Sequence, residues 1–271
     1  MSPEAVYQSH VDNKMLSEKR GAVGHMIFNN PERYNAVSLD MWEAAVGILD
    51  GFVADDDIRV IVMSGTGGKS FVSGADISKF EKERGSKEAV NDYNARIKVV
   101  YDKIAALPKP TIAMINGFCL GGGLALAVSC DLRFCSAKSR FGLPAARLGL
   151  GYPFEGLRRL VATVGIGQAK DIVFSARKLE SDEALRIGLV QQVVEEEDLE
   201  KTVFDYAATV AENAPLTVGA MKFIIGETQK DPDDRDMARC QAMVDACFDS
   251  EDYIEGRRAF MEKRTPQFKG R

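Results

Sequence analysis

Hydrophobic and polar positions fall into blocks along this chain, and the blocks differ in their period. Residues 59–65 and 110–114 are near-continuous apolar runs, which is typical of strands that are covered on both faces. Before the first run, Met41, Ala45 and Phe52 belong to a series of apolar positions with helical spacing. We therefore predict buried strands that alternate with amphipathic helices.

The same pattern continues through the rest of the chain. Further strands are predicted at residues 24–28, 70–73, 132–135 and 189–194, and further helices over residues 81–105, 124–128, 156–161, 166–174, 181–188 and from 195. Strands that alternate with helices indicate an α/β protein. We assign residues 1–205 to the α/β core and residues 206–271, which are predicted to be mostly helical, to a C-terminal region.

Composition narrows the function classes. Hydrophobic residues make up 45% and charged residues 28% of the chain, as in an ordinary globular protein. The net charge is −5 and no basic block occurs, which argues against nucleic acid or a membrane surface as the main partner. The five cysteines form no C-x-x-C pair, and the N-terminus lacks a signal-peptide core. We expect free thiols and a cytoplasmic location.

The two histidines are not spaced as a metal site or a catalytic triad would require. His10 and His25 lie far apart and lack ligand spacing, which argues against a zinc site or a catalytic His triad. The acidic residues 55–57 are not followed by the carboxylates of a calcium loop, so they indicate a solvated turn. No metal site is predicted.

A glycine-rich stretch between residues 115 and 131 is the strongest local signal. Gly121, Gly122 and Gly123 stand between a predicted strand and a run of helix formers, Leu124 to Val128. The unpaired N–H groups and the dipole of such a helix N-terminus favour negative charge. Two alternatives are that the glycines only permit close packing of helix on strand, and that the uncharged run spans a membrane. The glycines and Asn116 argue against the second alternative.

Nucleotide-binding loops do not fit the sequence. Residues 65–70 end like a phosphate-binding loop, but Met63 stands where its first glycine is required. Instead, a second strand-to-helix junction occurs at Ser73, Gly74, Ala75 and Asp76, where the chain turns at glycine. This junction presents the backbone N–H of Ala75 in the same way as the first junction presents that of Gly122.

Motifs along nearly the whole chain resemble one family. They are Asn29, Pro31, Asn35 and Ala36, residues 73–77, residues 116–131, Phe141, Gly142 and Pro144, Ala184 with residues 187–190, and residues 255–256 with 260–268. This ordered set resembles the crotonase superfamily, which contains the enoyl-CoA hydratases and isomerases. The resemblance implies a spiral of β-β-α units with a helical C-terminal region that packs into homotrimers, often paired into hexamers.

The resemblance also implies a ligand and a set of site residues. The ligand is an acyl-coenzyme A substrate, with no cofactor apart from the coenzyme A that the substrate itself contains. The N–H groups of Ala75 and Gly122 match the two donors that bind the thioester oxygen. The backbone at Ser73, Gly74, Ile77 and Gly121 matches the coenzyme A contacts. Phe260 and Lys263 match tail residues that reach coenzyme A, commonly from a neighbouring subunit.

The chain departs from the hydratases of this family at two positions. Ala125 and Ala145 stand where hydratases have the two glutamates that hold and deprotonate water. Because a methyl group can neither accept a proton nor orient water, hydration is disfavoured. Tyr152 resembles a pocket tyrosine of the methylmalonyl-CoA decarboxylases, although those enzymes have histidine at the position of Ala75. The match to them is therefore partial.

Glu155 leaves two interpretations open. It either reaches into the pocket as a base for isomerisation, or it forms a structural ion pair with Arg158 or Arg159. The leading hypothesis is thus an enzyme that stabilises a thioester enolate, with decarboxylation or isomerisation favoured over hydration. The alternatives are a coenzyme A thioester-binding protein that has lost its chemistry, and a hydratase that uses non-standard residues.

Overall fold

Two β-sheets form the framework of the protein. The computed structural model describes residues 7–76, 79 and 85–271. The strands are β1 (Gln8–His10), β2 (Met15–Arg20), β3 (Val23–Phe28), β4 (Val60–Gly65), β5 (Ser70–Val72), β6 (Thr111–Ile115), β7 (Phe118–Leu120), β8 (Leu132–Ser136), β9 (Arg140–Gly142), β10 (Leu179–Glu180) and β11 (Gln192–Val194).

The order of the strands makes the chain a spiral. The large sheet has the order β1-β2-β3-β4-β6-β8-β11, and the small sheet has the order β10-β9-β7-β5. From β3 to β11 the strands of the large sheet are parallel, and β5, β7 and β9 are parallel in the small sheet. Each of β5, β7 and β9 directly follows a strand of the large sheet. The chain therefore alternates between the sheets, which confirms the predicted α/β fold.

Helices cover both sheets and extend into the C-terminal region. They are α1 (Leu39–Ala54), α2 (Lys87–Ala106), α3 (Gly122–Ser129), α4 (Phe154–Ser175), α5 (Ser181–Arg186), α6 (Glu196–Ala211), α7 (Pro215–Glu227), α8 (Met237–Phe248) and α9 (Glu251–Glu262). Short 3₁₀ helices occur at Pro31–Arg33, Pro144–Leu148 and Pro232–Asp234. No helix in the described ranges is long and apolar enough to cross a membrane.

Burial on both faces of the large sheet explains its continuous apolar strands. Ile61 and Met63 of β4 belong to the larger core, which also includes residues of α1 to α4 and of the small sheet. Val60 and Val62 face the other side, where a second core packs them against α6. Because side chains alternate along a strand, both sets must be apolar.

Some predicted boundaries differ from the structure. The N-terminal segment forms two strands, β1 and β2, before the first of the strands predicted above. The strand predicted at residues 189–194 is shortened to β11, because the backbone N–H of Leu189 donates to the Ala184 carbonyl in a loop. The helix predicted after Asp76 falls on residues outside the described ranges. The two helices predicted in 156–174 form α4, which is interrupted at Gly165.

The C-terminal helices are joined to the core by specific contacts. The ammonium of Lys222 on α7 lies 2.7 Å from the carboxylate of Asp131, and the guanidinium of Arg59 donates to the carbonyls of Ala211 and Phe268. The predicted boundary between residues 205 and 206 falls inside α6. That helix covers the large sheet.

Candidate active site

Two neighbouring parallel strands bring the glycine junctions together. β5 and β7 pair with Ser70 opposite Phe118 and Val72 opposite Cys119. Because parallel strands end at the same edge of a sheet, the turns that follow them lie side by side. The turn after β5 contains Ala75, and the turn after β7 opens α3 at Gly122.

Backbone conformation directs the Ala75 amide away from its neighbouring segment. Gly74 has a φ of +116°, which glycine adopts readily. The Val37 N–H donates to the Gly74 carbonyl, and the Asp76 N–H donates to the Val37 carbonyl. These two bonds flank Ala75 in a parallel bridge with Val37. Because alternate peptide groups point to opposite sides of an extended chain, the Ala75 N–H points away from Val37.

The amides of Ala75 and Gly122 face the same small space. A Cβ placed on Gly122 would lie 3.9 Å from the Ala75 nitrogen and 3.7 Å from the Gly74 Cα. A Cβ placed on Gly74 would lie 3.6 Å from the Gly122 nitrogen. Neither amide donates a hydrogen bond to another residue in the described part of the chain. Two adjacent, unengaged donors are suited to bind one oxygen atom that gains negative charge.

The three glycines at the start of α3 serve different purposes. Gly121 has a φ of +54° and donates its N–H to the Gly142 carbonyl at 2.9 Å. A Cβ on Gly123 would lie 2.0 Å from the Val72 carbonyl oxygen, so this glycine permits close packing of α3 on β5. The packing alternative from the sequence thus holds for Gly123, whereas a Cβ on Gly122 would meet the Tyr101 hydroxyl at 3.2 Å and the Ala75 nitrogen at 3.9 Å.

Ala125 and Ala145, at which the resemblance predicts glutamates in hydratases, lie in α3 and in a short 3₁₀ helix later in the chain. Ala125 is buried one turn into α3, and its N–H donates to the Gly121 carbonyl. Ala145 lies in the 3₁₀ helix Pro144–Leu148 and packs against the larger core. Neither side chain has an atom that accepts or donates a proton.

Tyr152 precedes α4, the helix that packs against α3. Its ring lies over Gly156, where a Cβ would come within 2.7 Å of the ring, and it packs against the larger core. Burial raises the pKa of Tyr152 to about 12, and no partner among the described residues opposes this shift. Its phenol therefore stays protonated at neutral pH.

Glu155 forms the ion pair that the sequence left as one of two interpretations. Its carboxylate lies 3.1 Å from the guanidinium of Arg158, one turn later on α4. Arg159 instead pairs with Asp102 of α2. A catalytic role for Glu155 stays a prediction, and it requires the contact with Arg158 to open.

Only some of the residues that are predicted to contact coenzyme A lie near the two amides. Ser73 adjoins Gly74, and its N–H donates to the Tyr34 carbonyl at 3.2 Å. Ile77 lies outside the described residues. Phe260 lines an apolar groove of about 800 Å³ between α7, α8 and α9, and Lys263 ends α9 with a φ of +55°. Within one chain, the structure does not bring Phe260 and Lys263 to the amide pair.

Tyr101 of α2 borders the same space and was not singled out from the sequence. Its hydroxyl donates to the Gly122 carbonyl at 3.0 Å. The sequence predicted a helix over residues 81–105, but no local motif marks this tyrosine. In the described ranges no group of three or more His, Cys, Asp or Glu side chains is placed to hold a metal ion.

A set of three buried polar side chains lies in the large sheet. We call Glu18, His25 and Ser64 the buried histidine cluster: His25 Nδ1 lies 2.7 Å from the Glu18 carboxylate, and Nε2 lies 2.8 Å from the Ser64 hydroxyl. Pairing of β2, β3 and β4 brings these residues together, although the sequence argued against a His triad. All three are buried, and the His25 ring packs on Phe204 of α6. The cluster is therefore closed to a substrate.

Charges in this cluster are set by burial and by Arg20. Burial lowers the pKa of His25, although the Glu18 carboxylate opposes the shift, so the ring is neutral. Burial alone would raise the pKa of Glu18, but the hydrogen bond from His25 and the charge and hydrogen bond of Arg20 lower it overall. Nδ1–H then donates to Glu18, and Nε2 accepts from Ser64.

Comparison with known proteins identifies the same family from nearly the whole chain. Residues 18–271 match the family model described as enoyl-CoA hydratase/isomerase. Among curated relatives, the short-chain-enoyl-CoA hydratase of Clostridium acetobutylicum is 37% identical over 252 residues, covering 93% of this chain and 96% of that protein. The crotonyl-CoA hydratase of Syntrophomonas wolfei is 35% identical and covers 94% and 97%.

Solved structures agree with the fold. An enoyl-CoA hydratase/carnithine racemase from Magnetospirillum magneticum has a TM-score of 0.89 at 31% identity, covering 95% of this chain and 96% of that one. An enoyl-CoA hydratase/isomerase family protein from Hyphomonas neptunium also has a TM-score of 0.89, at 35% identity and coverage of 95% and 98%.

Proposed function

This chain belongs to the enoyl-CoA hydratase/isomerase family, and on that premise we propose that it stabilises the enolate of an acyl-CoA thioester during catalysis. The observation that supports this proposal is the pair of amides at Ala75 and Gly122, which face one space and have no other acceptor in the described chain. Loss of a proton or a carboxylate next to a thioester carbonyl places negative charge on its oxygen. Each preorganised donor contributes on the order of 3 kcal/mol to such a transition state.

We place decarboxylation or isomerisation ahead of hydration. Water addition needs groups that hold and deprotonate water, and Ala125 and Ala145 offer none. Decarboxylation needs no base, only stabilisation of the enolate and a pocket that disfavours the carboxylate. The desolvated phenol of Tyr152 fits such a pocket. Isomerisation needs a base, and Glu155 can act as this base only after its carboxylate separates from Arg158. Decarboxylation thus requires the smaller rearrangement.

Hydration with non-standard residues is the second candidate, since two relatives at 37% and 35% identity are named as hydratases. A third outcome is a protein that binds coenzyme A thioesters without turnover. In all three cases we propose that Ser73, Gly74, Ile77 and Gly121 form the coenzyme A contacts within the chain. Coenzyme A enters as part of the substrate.

Assembly is part of the proposal. Apolar side chains are exposed along α7 to α9, and Phe260 and Met261 are each 81% exposed. A surface of this kind is typical of a subunit interface. We propose a homotrimer or a dimer of trimers, in which Phe260 and Lys263 reach the coenzyme A of a neighbouring subunit. All five cysteines are free thiols, which fits a reducing compartment such as the cytoplasm.

The reaction is tested by assaying the purified protein against three thioesters. We expect turnover of methylmalonyl-CoA or of a 3-enoyl-CoA to exceed hydration of crotonyl-CoA. Rapid hydration of crotonyl-CoA would support the second candidate, and binding without any turnover would support the third. Ala145→Glu restores one missing carboxylate, so we expect it to raise hydration relative to the wild type.

Assembly is tested separately by sedimentation velocity. The wild-type protein is expected to sediment as a trimer or hexamer, and Met261→Lys is expected to shift the distribution towards monomer. Glu212→Gln, on the exposed end of α6, changes the net charge by the same amount elsewhere and should leave the distribution unchanged. A monomeric wild-type protein would contradict the proposed role of Phe260 and Lys263 across subunits.

A further inference from the structure

Tyr101 lies between the core and the open space of the candidate site. Its ring packs edge to face on the buried Trp42, with ring centroids 5.4 Å apart and planes inclined by 76°. Its hydroxyl donates to the Gly122 carbonyl at 3.0 Å. The ring and the hydroxyl are therefore both held by contacts within the chain.

The hydroxyl borders the space that the two amides face. The Tyr101 Oη lies 3.2 Å from the point that a Cβ on Gly122 would occupy, and the Ala75 nitrogen lies 3.9 Å from the same point. The Tyr101 oxygen and the Ala75 nitrogen thus lie on the same side of Gly122. In a thioester whose oxygen is bound between the amides, the α-carbon would be one bond beyond the carbonyl carbon, on the side of the site that Tyr101 borders.

Helix α2 is held in place on both sides of the tyrosine. Asp102 forms ion pairs with Lys98 on the same helix and with Arg159 of α4. Lys103 pairs with Asp50 of α1. A functional group on a helix that is fixed in this way is positioned more exactly than one on a free loop.

The proposed reaction needs a proton donor that the sequence did not supply. After decarboxylation, the α-carbon of the enolate must gain a proton, and Ala125 and Ala145 cannot provide it. We propose that Tyr101 delivers this proton after its hydroxyl turns away from the Gly122 carbonyl, an inference that rests on the proposed function. The electron pair of the enolate double bond forms the new C–H bond, and the thioester carbonyl is restored. Tyr101 becomes a phenolate that takes a proton from water, so no oxidation or reduction occurs.

Proton delivery by the Tyr101 hydroxyl predicts a result that a purely structural role of Tyr101 does not predict. If Tyr101 protonates the enolate, the proton arrives on one face of the α-carbon. If Tyr101 only supports the Gly122 peptide, its loss weakens the amide site but leaves the face of protonation unchanged. The distribution of label between the two faces therefore separates the two roles.

The experiment is decarboxylation of methylmalonyl-CoA in D₂O, with analysis of the deuterium at C2 of the propionyl-CoA product. For the wild type we expect label on a single face. For Tyr101→Phe, which keeps the ring on Trp42, we expect kcat to fall about 100-fold, as for loss of a general acid, and label on both faces. Tyr206→Phe on α6 removes a hydroxyl from the opposite side of the large sheet and should change neither property.

Failures of the two proposals are distinguishable. Single-face labelling that persists in Tyr101→Phe overturns the role of Tyr101, whether or not kcat falls, and leaves the proposed enolate chemistry standing. If the wild type does not decarboxylate this substrate, the same label is sought as α-hydrogen exchange in propionyl-CoA, the reverse of the protonation step. A wild type that neither decarboxylates nor exchanges overturns the role of Tyr101, and it overturns the enolate function as well if it does not isomerise a 3-enoyl-CoA.

Discussion

The buried histidine cluster and the Ala75–Gly122 amide pair both place polar groups at strands. They differ in whether other residues of the chain form hydrogen bonds with those groups. In the cluster, both ring nitrogens of His25 are bonded within the chain, and Arg20 balances the Glu18 charge. At the amide pair, neither N–H has an acceptor in the described part of the chain. An arrangement of serine, histidine and carboxylate resembles catalytic machinery in composition, yet it is sealed by α6. The groups available to a ligand are instead two backbone amides.

This difference shows how to weigh polar groups in a structure. A buried group whose partners are all internal contributes to stability and specificity, and removal of one partner leaves the others unsatisfied. A donor left without a partner beside open space contributes nothing to folding and is available to a ligand. Substitutions in the cluster should therefore change unfolding, whereas substitutions at the amide pair should change turnover.

The largest effect is expected for Glu18→Ala. It removes the acceptor of His25 Nδ1–H and one partner of Arg20 inside the structure, so we expect the free energy of unfolding to fall by about 3 kcal/mol. Urea denaturation followed by circular dichroism measures this loss. Glu200→Ala removes the exposed partner of the same arginine and should cost less than about 1 kcal/mol. Equal losses in both variants would mean that the cluster is not stabilising.

At the amide pair, Gly122→Ala should mainly affect turnover. The added methyl group occupies the space between the Ala75 amide and Tyr101, so we expect kcat to fall about 100-fold, the effect of losing one oxyanion donor. The free energy of unfolding should change little. Gly51→Ala on α1, where a methyl group meets nothing within 4 Å, should leave turnover unchanged. Full activity of Gly122→Ala would place the substrate elsewhere.

The cluster also predicts a dependence of stability on pH. The folded-state pKa of His25 is lowered by burial. The unfolded chain therefore binds more protons once the pH falls below about 6.5, the ordinary histidine value, and stability falls with it. Protonation of Glu18, whose pKa is also lowered, extends the loss at more acidic pH. Glu18 and Arg20 of β2 and Glu200 of α6 are the charged groups around the ring.

The contribution of His25 is measured as the difference in slope between the wild type and His25→Gln. Between pH 6.5 and pH 5 we expect the wild type to lose up to about 1.4 kcal/mol per pH unit more than the variant. Urea denaturation at a series of pH values measures both slopes. Identical slopes in the two proteins would show that the ring is not held neutral by burial.

The smallest effect in this series is expected for Ser64→Ala. It leaves His25 Nε2 without its donor, which should lower the free energy of unfolding by about 1 kcal/mol without changing kcat. Ser175→Ala removes an exposed serine hydroxyl from α4 and should change stability by less than about 0.5 kcal/mol. A loss of kcat in Ser64→Ala would remove the distinction between the closed cluster and the open amides.

Local sequence signals were enough to predict the two glycine turns, because the requirements of such turns are local. Gly74 and Gly121 adopt positive φ, and the strand before each is short and apolar, so both junctions are visible along the chain. The strand pairing of β5 with β7 then places them side by side. The contact between Glu155 and Arg158 was among the alternatives for the same reason, since the residues are one helical turn apart.

Other features depend on contacts between distant segments. Residues 81–105 were correctly interpreted as containing a helix, but the rotation of α2 that turns Tyr101 towards Gly122 is set by packing on Trp42 and by ion pairs to α1 and α4. The position of His25 opposite Glu18 and Ser64 depends on the register of three strands. A shift of one residue would turn these side chains to the other face.

By itself, the sequence determined the alternation of strands and helices, the family, the two glycine turns and the absence of carboxylates at positions 125 and 145. These properties follow from the period of apolar residues and from the conformations that glycine allows. Only the tertiary structure decided which polar groups face open space and which face one another. That distinction depends on strand register and helix rotation, which arise from the packing of the whole core and leave no mark in any short stretch of chain.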